Sequence, residues 1–119
     1  IQNRDLTQAS FGNCIIDGLN ENEIFFDRSN DALFNYEIDY CLLKLNNNYW
    51  NDWNHESCEE NILSESNNFI DHEILDFELD SSSEAINTGS SNIAQDVPYD
   101  INGINRMNNP DMGCFERVE

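Results

Sequence analysis

Three aromatic residues, Tyr49, Trp50 and Trp53, stand close together in a segment rich in Asn, Asp and Glu. Aromatic faces can stack on sugar rings while neighbouring amides and carboxylates bind hydroxyl groups, so the segment predicts a carbohydrate-binding surface. The alternative is that the same rings fold against the protein and fill part of its core. The sequence leaves both interpretations open.

A second candidate site lies near the C-terminus, where Asp96, Asp100 and Asn102, with Glu116, could offer oxygen ligands to Ca²⁺. The order Asp100, Asn102, Gly103 partly matches the opening of a calcium loop, but the later ligand positions are missing. The other interpretation is a tight turn with Gly103 at positive φ.

Arg106 offers a different use for these acidic side chains. Its guanidinium could pair with Asp100, Asp111 or Glu116 and so fix the C-terminal segment in place. No carboxylate pair stands out as catalytic among so many acids, and Lys44 is the only lysine. We therefore predict no catalytic residue in this chain.

Composition limits the classes of partner. The 119 residues include 24 Asp and Glu against 5 Lys and Arg, for a net charge of -19. This excess argues against binding to nucleic acid or to anionic lipid, since both need basic side chains. No apolar run is long enough to predict membrane insertion, whereas 39% hydrophobic residues predict a packed core.

Short apolar runs with period two predict strands, most clearly over residues 33–45, which we interpret as one strand or two meeting at a bend. Residues 13–17 and 40–44 each contain Cys followed by two aliphatic residues, and residues 61–64 form a weaker third copy. Such a repeat predicts parallel strands stacked in register, with the 20 Asn residues favouring left-handed corners. Cys14 and Cys41 are expected to be core thiols, a disulfide being the alternative.

The second half of the sequence resembles the C-terminal part of a known protein family. Motifs occur in order at residues 68–71, 76–79, 83–89, 100–106 and 111–116, with the sequences NFID, DFEL, SEAINTG, DINGINR and DMGCFE. They resemble the C-terminal part of secreted right-handed parallel β-helix proteins of the pectin-lyase-like kind, common in Bacteroidetes. Departures are Glu84, where that family has Pro, and Cys114-Phe115, where it has Ala-Tyr.

The resemblance implies an all-β right-handed parallel β-helix, with the last coils at residues 1–80 and an irregular capping tail at residues 81–119. It implies a secreted or cell-surface protein, of which this chain is the terminal part of a longer solenoid. The function implied is structural, closing the end of the solenoid. The alternatives are a carbohydrate-binding surface, or the end of a polysaccharide lyase or glycoside hydrolase whose active site lies on preceding coils.

Overall fold

The computed structural model describes residues 2–52 and 57–118. Its first half contains three successive units, each made of a short strand, a two-residue corner and a second short strand. The strands are β1 (Ser10–Gly12), β2 (Ile15–Ile16), β3 (Glu37–Asp39), β4 (Leu42–Leu43), β5 (Cys58–Glu59) and β6 (Ile62–Leu63).

Each unit bends at a residue with left-handed backbone conformation. These residues are Asn13, Tyr40 and Glu60, with φ angles of 51°, 53° and 51°. Asn tolerates this conformation better than most residues, whereas Tyr and Glu have no such advantage. The bend at Tyr40 divides residues 33–45 into two strands, which confirms one of the two interpretations of the alternating pattern.

The six strands form two parallel sheets, in the orders β1-β3-β5 and β2-β4-β6. In the second sheet Ile15 pairs with Leu42, and Leu42 pairs with Ile62. The predicted stacking of residues 15–16 on residues 42–43 is therefore confirmed. The third copy of the repeat pairs in the same register.

Neighbouring residues of a strand point to opposite faces of a sheet, and both faces of β2-β4-β6 are covered. Leu43 and Ile16 face the other parallel sheet and pack in an inner core with Ile38, which is buried. Leu42 faces the opposite way, into an outer core that also contains buried Met112. We call these the inner and outer faces of the sheet.

The rest of the chain is less regular. Helix α1 (Asn47–Asp52) follows β4, and strands β7 (Phe69–Asp71) and β8 (Asp76–Leu79) form an antiparallel pair around a 3₁₀ turn (His72–Ile74). Helix α2 (Ser91–Ala94) lies in the C-terminal tail, residues 81–118. Among the described residues, no helix is long and apolar enough to cross a membrane.

The expected all-β right-handed parallel β-helix is wrong as a fold class. The described strands form separate sheets of three, three and two strands, the last one antiparallel, and do not close into the coils of a solenoid. The physical reason is that the third side of the inner core is closed by side chains that do not belong to strands. Ile24 and Phe26 come from an irregular segment. Tyr49 and Trp50 come from a helix. The two short helices also contradict the all-β expectation.

The tail also lies differently from a cap on the last coil. Its residues Ala85 and Met112 are buried in the outer core, where they pack with buried Leu42 and with half-buried Ile15 and Ile62. These three residues belong to the first, second and third units, so the tail spans the outer face of the whole sheet. It covers the side of the stack, since that is where the second apolar face of the strands needs burial.

Candidate functional site

Two of the three aromatic residues singled out by the sequence can be placed. Tyr49 and Trp50 are half-buried in α1 and pack against the inner core. The Tyr49 hydroxyl accepts a hydrogen bond from the main-chain N–H of Phe26 at 3.0 Å. Trp53 lies outside the described residues. Carbohydrate binding by this segment stays a prediction, because the two rings that are described have a packing role.

The predicted calcium ligands do not share one free set of oxygen atoms. Asp100 is buried, and its carboxylate accepts N–H groups of Asn102 at 2.9 Å, Ile104 at 2.8 Å and Glu116 at 2.8 Å. Asp96 and the side chain of Asn102 are exposed. In the part of the chain that the structure describes, no three His, Cys, Asp or Glu side chains are grouped so that they could hold a metal ion. Calcium binding stays a prediction.

Asp100 instead organises a tight turn. Its carbonyl accepts a hydrogen bond from the N–H of Gly103 at 3.0 Å, and Gly103 has a φ of 80°, which favours glycine. Burial by itself raises the pKa of the Asp100 carboxyl. The three N–H donors and the positive charge of Arg106 outweigh that effect and lower the pKa below its ordinary value.

Arg106 lies at the centre of the tail. Its Nε donates to Glu116 Oε1 at 2.7 Å, in an ion pair whose side chains are each 9% exposed. Its Nη2 donates to the carbonyls of Asp111 at 3.1 Å and Gly113 at 2.7 Å. One guanidinium thus joins a carboxylate and two main-chain carbonyls. This is the fork geometry that arginine provides and lysine does not.

Asp111, the other acid considered as a partner of Arg106, uses its carboxylate for main-chain groups. Oδ1 accepts the N–H of Asn87 at 2.7 Å, and Oδ2 accepts the N–H of Arg117 at 2.6 Å. Every buried side-chain nitrogen or oxygen in the described part of the chain has a hydrogen-bond partner. The tail is therefore held by a satisfied polar network, the condition under which buried charges are tolerated.

The sequence did not indicate the link between Asn13 and the tail. The Asn13 side chain donates to the carbonyl of Ser90 at 2.9 Å and accepts the N–H of Ser90 at 2.7 Å. The carbonyl of Asn13 accepts the N–H of Gly113 at 2.7 Å. A Cβ on Gly89 would lie 2.9 Å from the carbonyl oxygen of Pro110 and 3.2 Å from the Asn13 side chain, so only glycine fits there. In the sequence, Asn13 stands at the start of the first repeat copy, and no motif connects it with the tail.

A cavity of about 520 Å³ lies between β2, the β7-β8 pair and the tail. Its lining includes the apolar side chains of Ile15, Phe69, Phe77, Ile93 and Val97. Asp17 and Arg106 are charged groups at its wall, and Cys14 and Cys114 both reach it. A small molecule in this cavity could approach a reactive side chain, because two cysteines line it.

The four cysteines are free thiols in different surroundings. A hydrogen bond from the Cys41 thiol, helped by the positive charge of Arg106, outweighs burial and lowers the pKa of Cys14 to about 6. The same contact, together with burial, raises the pKa of Cys41. Burial also raises the pKa of Cys58 and of Cys114. Only the thiol of Cys14 is thus favoured as a thiolate at neutral pH.

No protein-family model, curated protein or solved structure matches this chain. The resemblance to secreted β-helix proteins consequently remains a prediction from the motifs.

Proposed function

We propose that this chain is a structural module in which the tail seals the outer face of a stack of short parallel strands. The observation that carries the proposal is the outer core, where Leu42 of the sheet and Met112 of the tail belong to one cluster and are both fully buried. Met112 comes from the tail, and its N–H also donates to the carbonyl of Ala85 at 2.9 Å.

The proposed role has a direct physical purpose. Without the tail, the outer side chains of three strands would form an apolar strip on a small sheet whose edge strands are open to pairing. Burying one Leu or Met side chain contributes about 1.5–3 kcal/mol, so covering the strip also stabilises the sheet. The net charge of -19 adds repulsion between copies and keeps the sealed module soluble.

A secreted or cell-surface location and a polysaccharide partner stay predictions. The packing role of Tyr49 and Trp50 gives no support to a carbohydrate platform as a second function. The polar network of Asp100 and Arg106 supports the structural role, because each of its charges is used to hold main-chain groups of the tail in place.

The proposal is tested with Met112→Ala in the full chain. We expect a loss of about 2–5 kcal/mol in the free energy of unfolding, with more binding of the dye ANS and more self-association in size-exclusion chromatography with light scattering. Met107→Ala is the matched control, since Met107 lies in the tail outside the outer core. Its ANS binding and monomer fraction should equal those of the wild type.

The proposal fails if Met112→Ala stays folded and monomeric with wild-type ANS binding. Should that variant not fold, Ile86→Ala provides the same measurement at a half-buried position of the outer core. A folded Ile86→Ala variant with unchanged ANS binding and association would equally contradict a sealing role.

A further inference from the structure

Two cysteines occupy equivalent positions in neighbouring units. Cys14 and Cys41 directly precede Ile15 and Leu42, which are paired partners in the parallel sheet. The N–H of Leu42 donates to the carbonyl of Cys14 at 2.8 Å, so the two strands are joined at this point. Neighbouring strands lie about 4.8 Å apart, which is within the Cα separation that a disulfide spans.

The two sulfur atoms are neighbours on one side of this sheet. Both residues belong to the inner core, Cys41 as a fully buried member and Cys14 as a half-buried one. Each thiol donates to a main-chain carbonyl, Cys14 to that of Gly12 at 3.2 Å and Cys41 to that of Asp39 at 3.4 Å, and the two thiols are close enough for each to shift the pKa of the other.

The two thiols differ in access. Cys14 reaches the 520 Å³ cavity, whereas Cys41 is 0% exposed. A small reagent in the cavity therefore meets Cys14 first and cannot reach Cys41 directly. The titratable or charged groups around Cys14 are Cys41 in the core and Asp17, Arg106 and Cys114 at the cavity wall.

We propose that Cys14 and Cys41 form a redox-active dithiol, in which Cys14 reacts with a peroxide in the cavity and Cys41 resolves the product to a disulfide. This inference goes beyond the structural function and does not depend on it. Cys14 is the more reactive thiol because it is accessible and because the adjacent thiol and Arg106 favour its deprotonated form.

The chemistry balances with hydrogen peroxide as the oxidant. The Cys14 thiolate attacks one oxygen, the O–O bond breaks, and a sulfenic acid forms while the leaving hydroxide takes up a proton to become water. The Cys41 sulfur then attacks the Cys14 sulfur. An S–S bond forms, the S–O bond breaks, and the departing hydroxide leaves as water with the Cys41 proton. Two thiols lose two electrons, and one peroxide yields two waters.

The main experiment treats the folded full chain with one equivalent of hydrogen peroxide at pH 7, blocks the remaining thiols and maps tryptic peptides. Cleavage after Arg and Lys places the four cysteines in separate peptides, at residues 5–28, 29–44, 45–106 and 107–117. We expect a link between the first two peptides that dithiothreitol reverses. A link from Cys14 to Cys114, or peroxide-treated protein with Cys41 still free, would overturn the proposal.

Alkylation rates test which thiol reacts first. At pH 7 a thiol with a pKa of about 6, such as Cys14, is mostly thiolate. A thiolate of low pKa is a weaker nucleophile, and after allowance for this we expect iodoacetamide to modify Cys14 about fivefold faster than Cys114. Exposure alone predicts the reverse order, because Cys114 is exposed and Cys14 is half-buried. Equal rates, or faster modification of Cys114, would contradict the assignment of Cys14 as the nucleophile.

Two variants separate the roles of the thiols. In Cys41→Ala the sulfenic acid on Cys14 has no resolving partner, so dimedone should trap it after peroxide treatment. Cys114→Ala is the control, because it removes an exposed thiol at the same cavity and should leave the yield of the Cys14–Cys41 link unchanged. A loss of that link in Cys114→Ala would show that Cys114 takes part in forming it and would contradict direct resolution of Cys14 by Cys41.

Discussion

The strand units (residues 10–63) and the tail (residues 81–118) satisfy their main-chain polar groups in different ways. In the units, the N–H and carbonyl groups of one strand bond to those of the next, in the same register at each step. In the tail, buried side chains take over much of this role: carboxylates accept N–H groups, and Arg106 donates to carbonyls.

The difference has an energetic consequence. A parallel ladder distributes its stabilisation over many similar bonds, each contributing about 0.5–1.5 kcal/mol. A network of buried charges concentrates its stabilisation in a few contacts, since removing one charged partner leaves the other buried and unpaired. The tail is thus expected to be far more sensitive to single polar substitutions than the strand units.

The largest effect is expected for Arg106→Met. It leaves the buried Glu116 carboxylate without its ion-pair partner, so we expect a loss of about 3–5 kcal/mol in the free energy of unfolding, measured by urea denaturation. Arg106→Lys should lose less, because it keeps the charge but not the fork geometry. The control is Arg28→Met at an exposed site. A loss below about 1 kcal/mol would show that the network is not essential to the tail.

Asn13 tests the link between the two regions. Asn13→Gly keeps the left-handed corner but removes both hydrogen bonds to Ser90, so we expect a loss of about 1–3 kcal/mol. Asn13→Ala should lose about 1 kcal/mol more, since alanine also strains a φ of 51°.

Asn109→Ala is the control for this corner effect, because Asn109 is exposed and has a φ of 49°. The Asn109→Ala variant should show only the loss in the free energy of unfolding that comes from placing alanine in a left-handed backbone conformation. Wild-type stability in Asn13→Gly would mean that the Ser90 contact does not hold the tail to the first unit.

Asp100 is expected to make the stability of the tail depend on pH. Its pKa is lowered in the folded chain, so its charged form stabilises the fold above the unfolded pKa of about 3.9, and this contribution is lost as the pH falls through the lower folded pKa. Asp100→Asn should lose about 1–2 kcal/mol at pH 7, and the difference from wild type should shrink towards pH 2.

Asp96→Asn controls for the general loss of one negative charge, because Asp96 is exposed. Chemical denaturation at several pH values between 2 and 7 provides the measurement. A difference between wild type and Asp100→Asn that does not change over that range would contradict the role given to this carboxylate.

The smallest effect is expected in the strand units, at the third corner. Glu60 is exposed and has a φ of 51°, so Glu60→Asn should raise the free energy of unfolding by about 0.5–1 kcal/mol. Glu60→Gln removes the same charge without easing the backbone and should change little. Thermal unfolding of both variants provides the measurement. Equal stabilisation by the two would show that the gain in stability comes from removing the charge and not from easing the corner.

The strand units were largely predictable because their signals are local. The alternation around Tyr40 and the repeated Cys-aliphatic-aliphatic pattern indicated parallel strands in register, and the register of Ile15 with Leu42 follows that pattern. The closed β-helix was wrong, since the pattern says nothing about how the third side of each unit is completed. Ile24 and Phe26 complete it as side chains of an irregular segment, which has no period.

The candidate site was less predictable. Arg106 was expected to pair with one of three acids, and the structure brings it to Glu116 and to two carbonyls. The pair of Cys14 with Cys41 follows from the repeat, but the cavity that reaches only the first of them does not. The wall of the cavity combines β2 with the tail. Because these two segments are far apart in the sequence, no short motif could predict that they meet.

By itself, the sequence determined the short strands and the in-register stacking, because hydrophobic period acts over neighbouring residues. Only the tertiary structure decided that the tail covers the outer face, that Asn13 binds Ser90 across 77 residues of chain, and that the Asp100 carboxylate accepts main-chain N–H groups. The physical reason is that a tail without strands must satisfy its buried N–H groups with whichever oxygen atoms packing brings near.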